Sequence, residues 1–108
     1  MTTATIQQLD QSALTATLTT LLYTVPASTK TVLKEIILCN TDTVQRTVTI
    51  YVGDGTAVKN TILDAVTINP GVTQFYTFST VLIAADIISG GASSAAVVSC
   101  TISGAEDA

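Results

Sequence analysis

Three aspartates are the first candidates for chemistry in this 108-residue sequence. Asp54, Asp64 and Asp86 could form an acid pair or a calcium site, since both need carboxylate oxygens. Asp54 is followed by Gly55 and Thr56 without the further alternating acids of a calcium loop, so the several oxygen ligands that calcium needs are not supplied. We therefore predict that Asp54 and Asp86 form turns, and that Asp64 is an exposed charge on a strand edge.

Histidine is absent from the sequence, which excludes a Ser-His-Asp or Cys-His catalytic arrangement. The commonest ligand of transition metals is missing with it. Gly53, Gly55, Gly90 and Gly91 could suggest a phosphate-binding loop, but no Lys-Ser or Lys-Thr pair and no predicted helix follows them. We therefore expect no enzyme activity, no cofactor and no metal, and we assign these glycines to hairpin turns.

The two cysteines and three tyrosines each allow a functional interpretation. Cys39 and Cys100 could bridge two sheets, as in an immunoglobulin domain, but that domain also needs a core tryptophan, which the sequence lacks. Because cytosolic disulfides are uncommon, we predict two reduced thiols. Tyr23, Tyr51 and Tyr76 could form an aromatic platform for sugars. Since they fall on three different predicted strands, we interpret them as core-edge or interface residues.

The charge of the chain argues against a nucleic-acid partner. Only 11% of the residues are charged, the formal net charge is −4, and the four basic residues are scattered: Lys30, Lys34, Arg46 and Lys59. A phosphate backbone needs clustered Lys and Arg. A small domain usually has about a quarter of its residues charged, so the low charge predicts that much of the surface is buried in an assembly.

The sequence also gives no sign of a membrane partner. It has no apolar run long enough for a membrane span, and residues 1–5 lack the basic and apolar regions of a signal peptide. We expect the chain to stay in the cytoplasm where it is made.

Thr, Val and Ile make up 42 of the 108 residues, and these β-branched side chains favour strands. Alternating or short apolar runs predict strands at residues 13–25, 31–39, 46–52, 61–68, 72–79, 87–88 and 95–102. Turn residues separate them, with Asn69-Pro70-Gly71 the strongest signal and a bend at residues 84–86. The pattern predicts an all-β fold, a single antiparallel β-sandwich of seven or eight strands, jelly-roll-like or immunoglobulin-like.

The same pattern divides the chain into three parts. Residues 1–12 have too few apolar positions to fix a face and are predicted to form an N-terminal arm, either extended or a short helix, that a neighbouring subunit can order. Residues 13–104 form the sandwich, and residues 105–108 a solvated tail. We expect residues 31–39 to form a central strand covered on both faces. Side chains predicted to point inward are Val48, Ile50, Val52, Ala96, Val98, Cys100 and Ile102.

Several of these segments resemble small virion proteins of tailed bacteriophages. The resemblance begins with the sequence LYTVPA at residues 22–27 and continues through the strand that ends at Cys39-Asn40 and the strand at residues 46–52. A later Pro70-Gly71 turn precedes the step Ala85-Asp86-Ile87, in which Ala85 stands where those proteins usually have glycine. The likeness covers residues 21–104, and its motifs are mainly turns and strand ends.

The resemblance implies a non-enzymatic, commonly trimeric β-sandwich on a phage particle assembled in the host cytoplasm. For this small acidic chain we expect a capsid decoration or cement protein on the outer surface of the virion, bound to the major capsid protein and to copies of itself. A neck, tail or baseplate appendage is the alternative, and a carbohydrate-binding or adhesion module is the alternative of another class. The residues expected at the interface are Thr2, Thr5, Ile6, Leu9, Tyr23, Tyr51 and Tyr76.

Overall fold

The computed structural model describes residues 5–54 and 57–107, with the backbone alone at residues 57–59. As predicted, the fold is all-β. The described residues form eight strands: β1 (Thr5–Ala13), β2 (Leu21–Thr24), β3 (Lys30–Asn40), β4 (Arg46–Asp54), β5 (Ala57–Ile68), β6 (Thr73–Leu82), β7 (Asp86–Ala92) and β8 (Val98–Asp107). Among these residues there is no helix that could cross a membrane.

The strands form two antiparallel four-stranded sheets that make a sandwich. Sheet 1 has the order β1-β8-β3-β6 and sheet 2 the order β2-β7-β4-β5. The first strand therefore pairs with the last, the second with the seventh, the third with the sixth and the fourth with the fifth. This nested pairing is the topology of a jelly roll, so the structure distinguishes between the two kinds of sandwich that the sequence allowed.

Inward side chains of β4 and β8 contribute to the core between the sheets. Val48 and Ile50 on β4 are fully buried, and so are the β8 side chains Val98, Cys100 and Ile102. These inward positions are confirmed, and Val52 packs against the same core. Ala96 differs, because it lies in the turn before β8 with a φ of 62°.

Strand β3 is central, as predicted, since it lies between β8 and β6. Its two faces are unequal, however. Leu33, Ile36 and Leu38 are fully buried, whereas Val32 and Ile37 on the other face are only half-buried. The expectation that both faces are covered is therefore wrong. Side chains of the apolar run at residues 36–39 alternate between the core and the outer face of sheet 1.

Two turns follow the sequence signals closely. In the Asn69-Pro70-Gly71 turn, the amide of Val72 donates to the carbonyl of Asn69 at 3.1 Å. Gly71 has a φ of 73°, a conformation that glycine adopts without a Cβ clash. At the bend after β6, the amide of Asp86 donates to the carbonyl of Ile83 at 3.0 Å. Ala85 in this second turn also has a positive φ, 72°.

The strand predicted at residues 13–25 is wrong over residues 14–20, which form an irregular loop. The hydroxyls of Thr15 and Thr20 lie 2.6 Å apart, and Thr20 bonds the carbonyl of Thr17 through its hydroxyl at 3.1 Å. Threonine side chains thus satisfy groups that a sheet ladder would otherwise pair. Only β2 (Leu21–Thr24) keeps the predicted strand conformation.

Gly90 and Gly91 lie within β7 and not in a hairpin turn, which corrects their assignment. Both are buried. A Cβ on Gly91 would stand 2.3 Å from the carbonyl oxygen of Thr17, so this position needs glycine because the 14–20 loop lies directly against it.

The predicted N-terminal arm (residues 1–12) and solvated tail (residues 105–108) also need correction within the described residues. Residues 5–13 form β1, which pairs with β8 of the same chain from Thr5 opposite Glu106 to Ala13 opposite Ser99. Residues 105–107 belong to β8, which also pairs with β3. β1 is an edge strand and residues 105–107 lie at the end of β8, so both segments can carry polar side chains, and polarity alone does not distinguish them from a free chain.

Candidate interaction surface

The outer face of sheet 1 carries two apolar rows across neighbouring strands. Strand register places Ile6, Ala105, Val32 and Val81 side by side, one from each of the four strands. A second pairing places Ile37 beside Phe75. The exposed fractions of the side chains are 87% for Ile6, 64% for Phe75 and 59% for Val81. A row that crosses every strand makes one continuous surface and not a set of isolated apolar residues.

The remaining positions of this face are mostly small or uncharged. Between the apolar rows lie Thr, Ser and Gln side chains from β1, β8 and β6. The charged residues are Lys34 and Glu35 at the irregularity of β3, and Lys30 opposite Asp107 where the strands end. Charges of both signs are therefore neighbours, and the face has no net charge although the chain carries −4.

The structure brings only some of the seven predicted interface residues to this surface. Ile6 is its most exposed member, whereas Thr5, the partner of Glu106 in the register, points to the opposite face of sheet 1. Leu9 and Tyr76 pack against the buried core, so their side chains contribute to the fold. Thr2 lies outside the described residues.

The three tyrosines do not form a shared aromatic platform. Tyr23 pairs with the core residue Ile88, whereas Tyr51 pairs with Ser89 and therefore points to the opposite face of sheet 2. Tyr76 belongs to sheet 1. The three rings therefore offer no common surface on which a sugar could stack, and the arrangement does not favour the carbohydrate-binding alternative.

Tyr23 instead links the two sheets. Its hydroxyl donates to the carboxylate of Glu106 on β8 and lies 2.8 Å from the hydroxyl of Thr31 on β3. Burial, and then the bond to Glu106, raises the pKa of Tyr23 to about 12, because an ionised phenol would face a carboxylate. The group is a structural bridge between sheet 2 and sheet 1.

A cleft of about 310 Å³ lies near the ends of β4 and β6, and Asp54 and Asp86 are among its lining residues. The two aspartates are direct partners in the register of β4 and β7. Asp86 accepts a hydrogen bond from the amide of Ile83 at 2.9 Å, which confirms its predicted role in a turn. Asp64 is exposed on the edge strand β5, as predicted. Within residues 5–54 and 57–107, no group of three His, Cys, Asp or Glu residues could hold a metal ion.

The two cysteines are free thiols, as predicted. Cys39 pairs with Ser99, and Cys100 pairs with Leu38. Neighbouring positions on a strand point to opposite faces, so Cys100 enters the core while Cys39 lies on the outer face of sheet 1. Side chains that point apart cannot form a disulfide without backbone movement, and the immunoglobulin-type bridge is excluded.

Sequence reasoning missed Val32, Phe75 and Val81 as surface residues. The available signal was in the ten residues of β6, TQFYTFSTVL, which alternate regularly and contain no charge. One set of alternating residues had to face outward, and that set includes both Phe75 and Val81.

The sequence matches no protein-family model and no curated protein. In structure, the chain is similar to a chain of the T13 viral particle of infectious bursal disease virus, with a TM-score of 0.57 and 12% identity over 96% of this chain and 31% of that chain. It is also similar to the VP2 subviral particle of that virus, with a TM-score of 0.50 and 14% identity over 97% and 32% of the two chains. This chain thus spans about a third of those proteins, and it shares a jelly-roll fold with proteins of virus particles.

Proposed function

We propose that this chain is a non-enzymatic structural protein of a virus particle, and more specifically a decoration or cement protein of a tailed-bacteriophage capsid. In this role it binds the outer surface of the shell formed by the major capsid protein and stabilises it. The observation that supports the proposal most directly is the neutral, partly apolar outer face of sheet 1 on a jelly-roll sandwich. Such a face can be buried without removing isolated charges from water, which is costly.

The proposal assigns the shell contact to this face and not to a separate arm. Ile6, Val32 and their neighbours offer a flat row of apolar side chains that a partner surface can cover. Each contact is small, but a capsid repeats its surface many times. Copies associated with one another, as trimers in the family that the sequence resembles, would bind several of these repeats together and gain affinity through multivalency.

The charge of the chain favours the outside of the particle. Packaged nucleic acid has a dense negative charge, and the formal net charge of this chain is −4. An acidic protein is repelled from the interior and tolerated on the outer surface. Assembly would take place in the host cytoplasm, where the capsid is built.

The test uses particles that lack this chain. They are expected to assemble at normal size but to release their nucleic acid at a lower temperature, and added purified chain should restore the wild-type temperature. Ile6→Asp should fail to restore it, because a charge would enter the contact, while Val44→Asp in the exposed turn before β4 should restore it fully. Cryo-electron microscopy should then show the chain across the whole shell.

Other outcomes would overturn this assignment. If no shells form without the chain, it is a shell subunit and not a decoration. If the shells keep their thermal stability but lose infectivity, and the density of the chain lies at one vertex, it is the neck, tail or baseplate appendage that the sequence left as the alternative.

A further inference from the structure

The four edge strands of the sandwich differ in how they are protected from pairing with another chain. An edge strand has a row of unpaired backbone groups, and proteins block such edges with charges, proline, bulges or short length. β2 has four residues and is closely followed by Pro26. β1 contains Asp10 and a register shift against β8. β5 contains Asp64 and has three register shifts against β4.

β6 (Thr73–Leu82) carries the fewest of these protections, a single register shift against β3. Its ten residues include no charged side chain and no proline. The shift places Phe78 and Ser79 of β6 opposite Lys34 of β3, but the alternation of exposed and less exposed side chains on β6 continues unbroken through this point. It is a long, uncharged edge with regular alternation, the kind that adds a strand from another chain.

We propose that β6 pairs with β6 of a second copy of this chain, antiparallel about a two-fold axis at Phe78. The two copies of sheet 1 then form one continuous eight-stranded sheet. Phe75 and Val81 lie three positions before and after Phe78 and point to the same outer face. In this register each Phe75 lies opposite Val81 of the second copy, and each Thr77 opposite Ser79.

The self-complementary chemistry of β6 favours a second copy over a different protein. A two-fold contact brings the same strand to both sides, so a strand with charges would place like charges near one another, and β6 has none. Pairing centred on Thr77 would instead put Phe75 opposite Ser79 and leave both large apolar side chains without an apolar partner across the strands. An antiparallel pair of ten-residue strands also gives roughly ten main-chain hydrogen bonds.

This inference is independent of the proposed capsid role, because it depends only on the strands of the isolated chain. A two-fold contact can also coexist with a three-fold one elsewhere on the surface. It would then join copies from neighbouring trimers and not replace the trimer.

The first test measures association of the purified chain by sedimentation over a range of concentrations. The wild type should show a mass that doubles as its concentration rises. Thr77→Lys should weaken this association at least tenfold, because the new charges lie close to the axis. Thr67→Lys, at an exposed position on the edge strand β5, is the matched control and should associate like the wild type. Both variants should unfold at about the wild-type temperature, since both sites are exposed.

A second test fixes the register by disulfide cross-linking under mild oxidation. A chain with both Thr77→Cys and Ser79→Cys should form a covalent dimer on a non-reducing gel, and the wild type, with its native cysteines, gives the background. Thr77→Cys alone should cross-link more slowly, because its opposite residue in the second copy is Ser79. Faster cross-linking by the single variant would overturn the register about Phe78. A wild type that stays monomeric, or a Thr77→Lys variant that associates as tightly as the wild type, would overturn pairing through β6.

Discussion

The hydroxyl of Tyr23 donates a hydrogen bond to the carboxylate of Glu106, 83 residues further along the chain. Tyr23 lies on β2 in sheet 2, and Glu106 lies near the end of β8 in sheet 1. Most other contacts between the sheets are made by apolar side chains of the core. This polar bridge therefore holds one end of the sandwich together by a directional bond.

We expect Tyr23→Phe to lower the free energy of unfolding by about 1 kcal/mol at neutral pH, because Glu106 and Thr31 lose a partner. The folded-state pKa of Tyr23 is raised from 10.0 to about 12. The bridge is therefore fully stabilising below pH 10 and is lost as the pH rises towards 12. Urea unfolding at several pH values should show this loss in the wild type and a smaller one in Tyr23→Phe. The control Tyr51→Phe should lose stability with pH as the wild type does. If Tyr23→Phe lost as much stability at high pH as the wild type, the assignment of this loss to the Tyr23 bridge would be wrong.

The turn between β6 and β7 offers a stabilising substitution. Ala85 has a φ of 72°, a conformation that costs an L-residue about 1–2 kcal/mol. Ala85→Gly removes this strain but increases the entropy of the unfolded chain, so we expect a net gain of up to about 1 kcal/mol. Ala84→Gly, one residue earlier and without a positive φ, should lose stability. Thermal unfolding of the two variants distinguishes them, and a loss in Ala85→Gly would show that the turn is not strained.

Ser89 carries a buried hydroxyl that has no hydrogen-bond partner among the described residues. Its side chain is only 1% exposed. Because an unsatisfied buried polar group is costly, we expect Ser89→Ala to raise the free energy of unfolding by about 1 kcal/mol. The control is Thr49→Val on the adjacent strand. The hydroxyl of Thr49 accepts a hydrogen bond from the amide of Ala65 at 3.1 Å, so its removal should be destabilising. Chemical denaturation of both variants gives the comparison, and a destabilised Ser89→Ala would indicate a partner for the hydroxyl.

The two thiols should differ in reactivity. Cys100 is completely buried, and burial, with a smaller effect from the charge of Asp10, raises its pKa to about 12. Since the thiolate is the reactive form, Cys100 should resist alkylation until the chain unfolds, while the half-buried Cys39 reacts in the folded state. Mass spectrometry before and after denaturation counts the modified thiols. The folded Cys39→Ser variant should take up no label, and rapid labelling of it would contradict the burial of Cys100.

The parts of the fold that were predictable depend on local patterns. Val48 and Ile50 are buried because β4 alternates in sequence as it does in space, and Pro70-Gly71 makes a turn through its own backbone preferences. β1 has no comparable local signal. Its pairing is with β8, and the exposure of Ile6 follows from its position at the sheet edge. Such a strand is defined by a distant partner, which a short sequence window does not contain.

The structure corrects two further predictions. Residues 14–20 alternate like a strand, but the hydroxyls of Thr15 and Thr20 favour a loop. Gly90 and Gly91 look like turn residues, but they lie in β7, and glycine is needed there because neighbouring atoms leave no room for a Cβ. For the candidate surface, the sequence indicated Ile6 and the low charge. The row that joins Ile6 to Val32 and Val81 depends on strand register, which composition does not contain.

The place of β8 in sheet 1 has a consequence for synthesis on the ribosome. β8 lies between β1 and β3, yet it is translated after both of them. Until it emerges, β1 has no partner in this sheet and β3 has an open edge. Sheet 1 therefore cannot be completed before β8 has emerged, and its folding must wait for contacts that are distant in sequence, which form slowly. During that interval the open side of β3 is an additional site at which newly made copies can pair incorrectly.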